Sequence, residues 1–199
     1  MPMNPGRLQE YISLYDVNMP ASRVAVIDKA IVGLGMLGSR SGMGWITRLG
    51  VLPEGRRRGV GSSILQALLD EARSLELSNI WLEVISGNIP AHELFIKYNF
   101  KETRELIVAR RSPITARNMS AVKDARKVRY LQHDEVVELH CQRRQRMNWL
   151  NSVETMKNVR RLANTPLTDG PEYPQHELAH LSGISVEFQN GSHGWVTYQ

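Results

Sequence analysis

Residues 51–65 read VLPEGRRRGVGSSIL: Arg56, Arg57 and Arg58 run into Gly59 and Gly61, and an apolar helical pattern follows at once. A helix N-terminus presents unsatisfied N–H groups and a partial positive charge. Glycine lets a backbone approach a ligand closely. Together these features fit a phosphate-binding loop. A tight strand-to-helix turn beside a solvated arginine run is the plainer reading, and the loop alone does not decide between them. Two familiar phosphate loops are excluded. No Lys-Ser or Lys-Thr pair follows the glycines, and position 64, where GxGxxG needs its last glycine, is Ile.

Working outward, residues 7–16 carry apolar side chains at helical spacing, and 22–28 alternate as a strand. Asp28-Lys29 turns into a second strand at 31–38. A glycine-marked turn at 39–44 leads to a third strand at 44–51, completing an antiparallel meander. After Gly59 the period changes, with apolar residues at 65, 68, 69, 72 and 75 on one face of a helix. Residues 79–85 read as a central strand. Pro90 opens a second helix, whose buried face is 91, 94, 95 and 98. That helix stops at Asn99, a residue that tolerates the left-handed conformation, and Phe100 packs back on it. Residues 101–111 read as a further strand. The fold class is α/β (α+β), a mixed and mostly antiparallel sheet flanked by helices, in the order β-β-β-α-β-α-β.

The back of the chain is organised differently. Residues 113–126 read as a polar linker. A strand starts near 127, helical patterns cover 133–146 and 150–162, and a Pro/Gly/Asn-rich loop covers 163–174. Two strands joined by the turn Asn190-Gly191 come last. This hairpin faintly repeats the strand–turn–strand at 22–38. The expected domains are therefore 1–112, then the linker 113–126, then a partial second copy at 127–199 without a glycine loop.

Several spaced stretches together resemble the Gcn5-related N-acetyltransferase (GNAT) family. Arg56-Arg57-Arg58-Gly59-Val60-Gly61 matches its [RQ]-x-x-G-x-[GA] loop, and Leu49-Gly50-Val51 with Pro53 matches the lead-in. Residues 82–84 (LEV) match a common strand of the family. Asn88, Ala91, Leu94, Phe95 and Phe100 match N-x-x-A-x-x-L-[YF]-x-x-x-G-F, with Asn99 in place of Gly. The resemblance covers about 22–111. It implies acetyl-coenzyme A as cofactor, with the pyrophosphate cradled by residues 57–62 down to Ser62. It also implies that the pantetheine arm lies along Leu49 to Val51 like an added strand and meets Asn88. The implied reaction is direct transfer of acetyl to a primary amine of a small molecule or peptide. In ribosomal-protein acetyltransferases, which this stretch resembles, the glutamate of LEV is the base, here Glu83; the alternative is a strand-edge carboxylate held by an arginine. Phe95 stands where many members carry a tyrosine acid, and a phenyl ring has no proton to give. A coenzyme A-binding pseudoenzyme or regulatory module is therefore the alternative function. The family usually opens with a strand and one or two helices, so the chain is read as a piece of a longer two-domain acetyltransferase.

Other features bound the rest. His176, Glu177 and His180 form HELAH, an HExxH match that would make a zinc hydrolase, but position 186, where a third histidine would stand, is Val. No metal is expected. The net charge of +5 comes from scattered basic residues without interleaved aromatics, which argues against a nucleic-acid partner. No apolar run approaches the ~20 residues of a membrane span, and Cys141 is the one cysteine. A cytoplasmic protein is expected, with no membrane partner and with a homodimer allowed.

Overall fold

In a computed structural model, the described residues are 4–107, 125–144, 147–163 and 181–198. The chain divides into two compact units, residues 1–101 and 102–199.

The first unit begins with α1 (Pro5–Tyr15), capped by Asn4, whose Oδ1 accepts the Arg7 N–H at 2.9 Å. The helix ends where Asp16 turns left-handed at φ 51°. Strands β1 (Val17–Ile27), β2 (Ala30–Arg40) and β3 (Met43–Val51) form the expected meander. Asp28 and Lys29 both have positive φ, the backbone of a two-residue turn that matches strand twist. Helix α2 (Val60–Ser74) follows, then β4 (Asn79–Trp81) and α3 (Ile89–Lys97). The sheet order is β1-β2-β3-β4, antiparallel except for the parallel β3–β4 pair.

Helix α2 packs on one face of this sheet, burying Val60, Ile64, Leu65, Leu68 and Ala72. The stripe thus starts earlier than 65, and Leu75, expected on it, lies at the C-cap and is exposed. The close approach depends on β2. A Cβ on Gly35 would stand 2.7 Å from Ile64 and 2.8 Å from Leu68. Helix α3 ends as expected: Asn99 is left-handed at φ 64°, and the Phe100 N–H returns to the Phe95 carbonyl at 3.1 Å.

Two expected strands are corrected. Residues 79–85 are a strand only over Asn79–Trp81, because β4 leaves its partner after Trp81. Residues 101–107 form no strand and are exposed throughout. Exposed to solvent, their N–H and C=O groups are open to water, and residues 108–111 of the expected strand lie outside the described residues.

The second unit contains β5 (Ala125–Leu131), α4 (His133–Cys141), α5 (Val153–Ala163), β6 (Ser182–Phe188) and β7 (His193–Tyr198). Its sheet has the order β5-β6-β7, antiparallel throughout. Helix α4 stops at Cys141, short of the expected 146. The hairpin loop is three residues rather than the two of Asn190-Gly191. Phe188 pairs with Ser192, and Gly191 takes the left-handed position at φ 79°, a turn followed by a bulge. The core gathers Leu131, Val136, Trp149, Met156 and Val159. His140 is buried among them, its ring 5.1 Å edge-on to Trp195 and its Nε2 3.4 Å from Thr197 Oγ1. Most of the expected linker, the 163–174 loop and HELAH lie outside the described residues.

Two outcomes follow from this packing. Gly35→Val should destabilise the first unit by about 1–3 kcal/mol through overpacking against α2, read by denaturant unfolding; an unchanged midpoint would contradict the contact. Burial first, and Arg143 second, hold the His140 imidazole below its ordinary value. The unfolded chain then binds more protons, so stability of the second unit falls as pH drops through about 6.5. His140→Leu should flatten that slope in melting curves taken between about pH 5 and 7.5.

Candidate active site

The loop 56–62 is built by backbone conformation. Arg56 is extended, Arg57 has φ 58°, and Gly59, the N-cap of α2, has φ 78°. Gly59 offers no side chain, so the first N–H groups of α2, at Val60, Gly61 and Ser62, have no side-chain cap. Arg56, Arg57 and Arg58 are exposed around them. A Cβ on Gly61 would meet Leu94 and Val51 at 3.5 and 3.6 Å, ordinary contacts. Internal packing therefore does not require glycine at 61. The Tyr98 hydroxyl donates to the Ser62 carbonyl at 3.1 Å and ties the end of α3 to this turn.

The lead-in strand ends beside an open edge. The β3–β4 ladder runs from Met43/Asn79 to Trp45/Trp81 and then stops, while β3 continues to Val51 with β2 alone. The Leu52 N–H bonds the Val32 carbonyl at 2.8 Å. Alternation along an antiparallel ladder then turns the Val51 and Leu49 polar groups away from β2, toward the edge β4 has left. The Val51 carbonyl meets Arg56 Nε there at 3.2 Å. Leu49, Gly50 and Val51 thus offer an edge open to an added strand, leading straight into the uncapped turn of α2.

Glu83 lies just past the fork. It is exposed, and its Oε2 accepts the Trp45 indole N–H at 2.6 Å. The anchor is an indole, not the arginine of the alternative reading. Beneath it, buried Trp45 is part of an aromatic cluster with two α1 side chains: ring centroids are 6.3 Å to Tyr11 and 5.9 Å to Tyr15. The Tyr11 hydroxyl is 2.6 Å from Thr47 Oγ1. Burial, with Tyr11 and Glu10 adding to it, pushes the Tyr15 phenol above its ordinary value, so it stays protonated near neutrality.

Asn88 is the N-cap of α3, its Oδ1 3.4 Å from the Ala91 N–H. Phe95 lies in the core at 8% exposure, its ring 5.8 Å from Phe100 in an edge-on contact. Tyr98 fills the role of a packing residue with its hydroxyl at the rim. The fold therefore brings Leu49–Val51 and the 56–62 loop together, with Glu83 across the fork, and sets Phe95 inward. Trp45, Tyr11 and the Arg48 backbone went unnoticed in the sequence, where a tryptophan in a strand reads only as core.

An N-alpha-acetyltransferase of Saccharolobus solfataricus is 31% identical over 96 residues, covering 42% of this chain and 58% of the relative. The chain thus spans somewhat over half the length of the curated relative it matches. Among solved structures, Ard1 from Thermoplasma volcanium is similar at TM-score 0.46 and 24% identity, over 52% of this chain and 69% of that one. The aminoglycoside N-acetyltransferase AAC(6')-Iy in complex with CoA is similar at TM-score 0.42 and 17% identity, over 56% and 97%. Residues 5–100 match the acetyltransferase (GNAT) family model.

Proposed function

We propose that the first unit is an N-acetyltransferase that moves an acetyl group from acetyl-coenzyme A to a primary amine by direct attack. The observation that carries this reading is the continuity of the open edge at Leu49–Val51 with the uncapped, glycine-opened turn of α2. These residues fit the cofactor. Backbone N–H groups of Val60, Gly61 and Ser62 hold the pyrophosphate, with charge from Arg56, Arg57 and Arg58. Leu49 and Val51 hydrogen-bond the pantetheine amides as an added strand, and Asn88 approaches the same arm. The bound cofactor supplies the activated thioester. Glu83 takes the proton from the acceptor ammonium, and the Trp45 indole fixes the carboxylate for that task.

Phe95 supplies no proton, so water protonates the departing coenzyme A thiolate. The missing acid favours a second reading, a coenzyme A-binding module without transfer, motivated by the burial of that phenyl in the core. The acceptor class is a small-molecule or peptide amine. Exposed, unpaired Cys141 supports a reducing, cytoplasmic setting, and no helix among the described residues is long and apolar enough to cross a membrane. Among its described residues the second unit runs strand, helix, helix, strand, strand. That order supports reading residues 127–199 as a partial copy of the family's opening half, behind a domain at 1–112.

Two experiments test the assignment. Gly61→Ala should keep the parent's melting temperature, because its Cβ meets only ordinary contacts. Gly61→Asp should fold as well, yet lose the upward melting shift that acetyl-coenzyme A gives by mass action. An undiminished ligand shift in Gly61→Asp would sink the phosphate-loop assignment. Glu83→Gln should lower kcat about 10²–10⁴-fold, the range of a general base, with cofactor affinity unchanged. Full turnover in Glu83→Gln removes Glu83 from the mechanism, and a parent that binds coenzyme A but acetylates no amine promotes the second reading.

A further inference from the structure

Arg48 is the one strand residue of β3 with a left-handed backbone, φ 53°. The pairing explains how. Leu34 faces Gly50 and Met36 faces Thr47, so Gly35 stands opposite both Arg48 and Leu49. This is a β-bulge, a device that re-aims a side chain. Alternation would send residues 47 and 48 to opposite faces. Instead both meet Tyr11 of α1: the Tyr11 hydroxyl is 2.6 Å from Thr47 Oγ1, and the Arg48 Cζ lies 4.5 Å over the Tyr11 ring.

The bulge thus lays a guanidinium on the α1 face of β3, where Trp45 holds Glu83. Arg48 is exposed, and among the described residues it has no carboxylate partner. Three other arginines of the unit are paired, Arg23 with Glu71, Arg40 with Asp16 and Arg73 with Asp70, whereas Arg48, like the loop arginines Arg56, Arg57 and Arg58, is exposed. Glu10 also lies on this side, close enough to act on Tyr15. A cation held by a ring face rather than by an acid keeps its N–H donors for a ligand.

We propose that Arg48 is a specificity-determining residue of the acceptor site. It binds the carbonyl or carboxylate oxygen beside the acceptor amine, while Glu83 takes the ammonium. The acceptor is then a peptide N-terminus or a free α-amino acid, both of which carry an oxygen next to the amine. Polycationic amines are disfavoured, because they meet a like charge and offer Arg48 no acceptor. This inference rests on the proposed acetyl transfer at Glu83.

The test uses the full chain and three acceptors: a short peptide with a free N-terminus, the free amino acid of the same first residue, and spermidine. The parent should prefer one of the first two over spermidine, and their ratio says which source is used. Arg48→Gln should raise KM for the preferred acceptor about tenfold, as loss of one charged hydrogen bond does, while leaving the coenzyme A melting shift unchanged. Arg48→Lys should recover part of that loss, and Arg48→Glu should move the preference toward spermidine. Calorimetric binding of the same acceptors to the coenzyme A-loaded protein gives a second readout that needs no turnover. A parent that acetylates nothing but binds the peptide in an Arg48-dependent way upholds this inference while defeating acetyl transfer. Preference for spermidine in the parent, or acceptor binding indifferent to Arg48→Gln by both readouts, would overturn it.

Discussion

The parting of β4 from β3 after Trp45 and Trp81 is the constraint on which the site depends. A paired edge would bury the Leu49–Val51 polar groups in a ladder. An edge released there must satisfy them with water or with an extended ligand. The same parting places Glu83 beyond the last paired residue, on a segment that still reaches Trp45. One structural event therefore opens the edge proposed for the cofactor and positions the carboxylate.

The packing of α2 fixes the other half of the site. Gly33 and Gly35 let the helix sit so close to β2 that a Cβ at either would fall under 3.0 Å from Ile64. The core anchored by Ile64, Leu65 and Leu68 thereby aims the first turn of α2 beside the end of β3. Tyr98 adds a tether from α3 to Ser62. The loop can stay glycine-opened and uncapped because its orientation comes from this core, not from a side-chain cap. The bulge at Arg48 serves the opposite face, where α1 closes over Trp45 through Tyr11 and Tyr15.

Much of this was legible in the sequence. Period-two alternation located the meander, and the change to helical period at Gly59 located α2. Asn99 and Phe100 announced the end of α3. What stayed hidden depends on partners rather than on propensity. Residues 82–85 are as strand-like as 79–81, and only the course of β3 decides where pairing stops. Residues 101–105 are all polar and 101–107 are exposed throughout, so nothing seats them as a strand on a neighbouring edge. The Arg48 bulge is visible only as a register shift opposite Gly35, and the Trp45–Glu83 bond joins residues 38 apart. Phe95 carries both readings, a vacant acid position in the motif and a buried-face residue in the helical pattern, and its burial and its contact with Phe100 match the second.

The central claim is that coenzyme A adds to the released edge of β3 and ends on the first turn of α2. Backbone hydrogen exchange with and without coenzyme A measures this directly. The Val51 amide and the amides of Val60, Gly61 and Ser62 should slow markedly on binding, with little change across the β1–β2 ladder. Binding without protection at Val51 and the α2 turn would contradict the account.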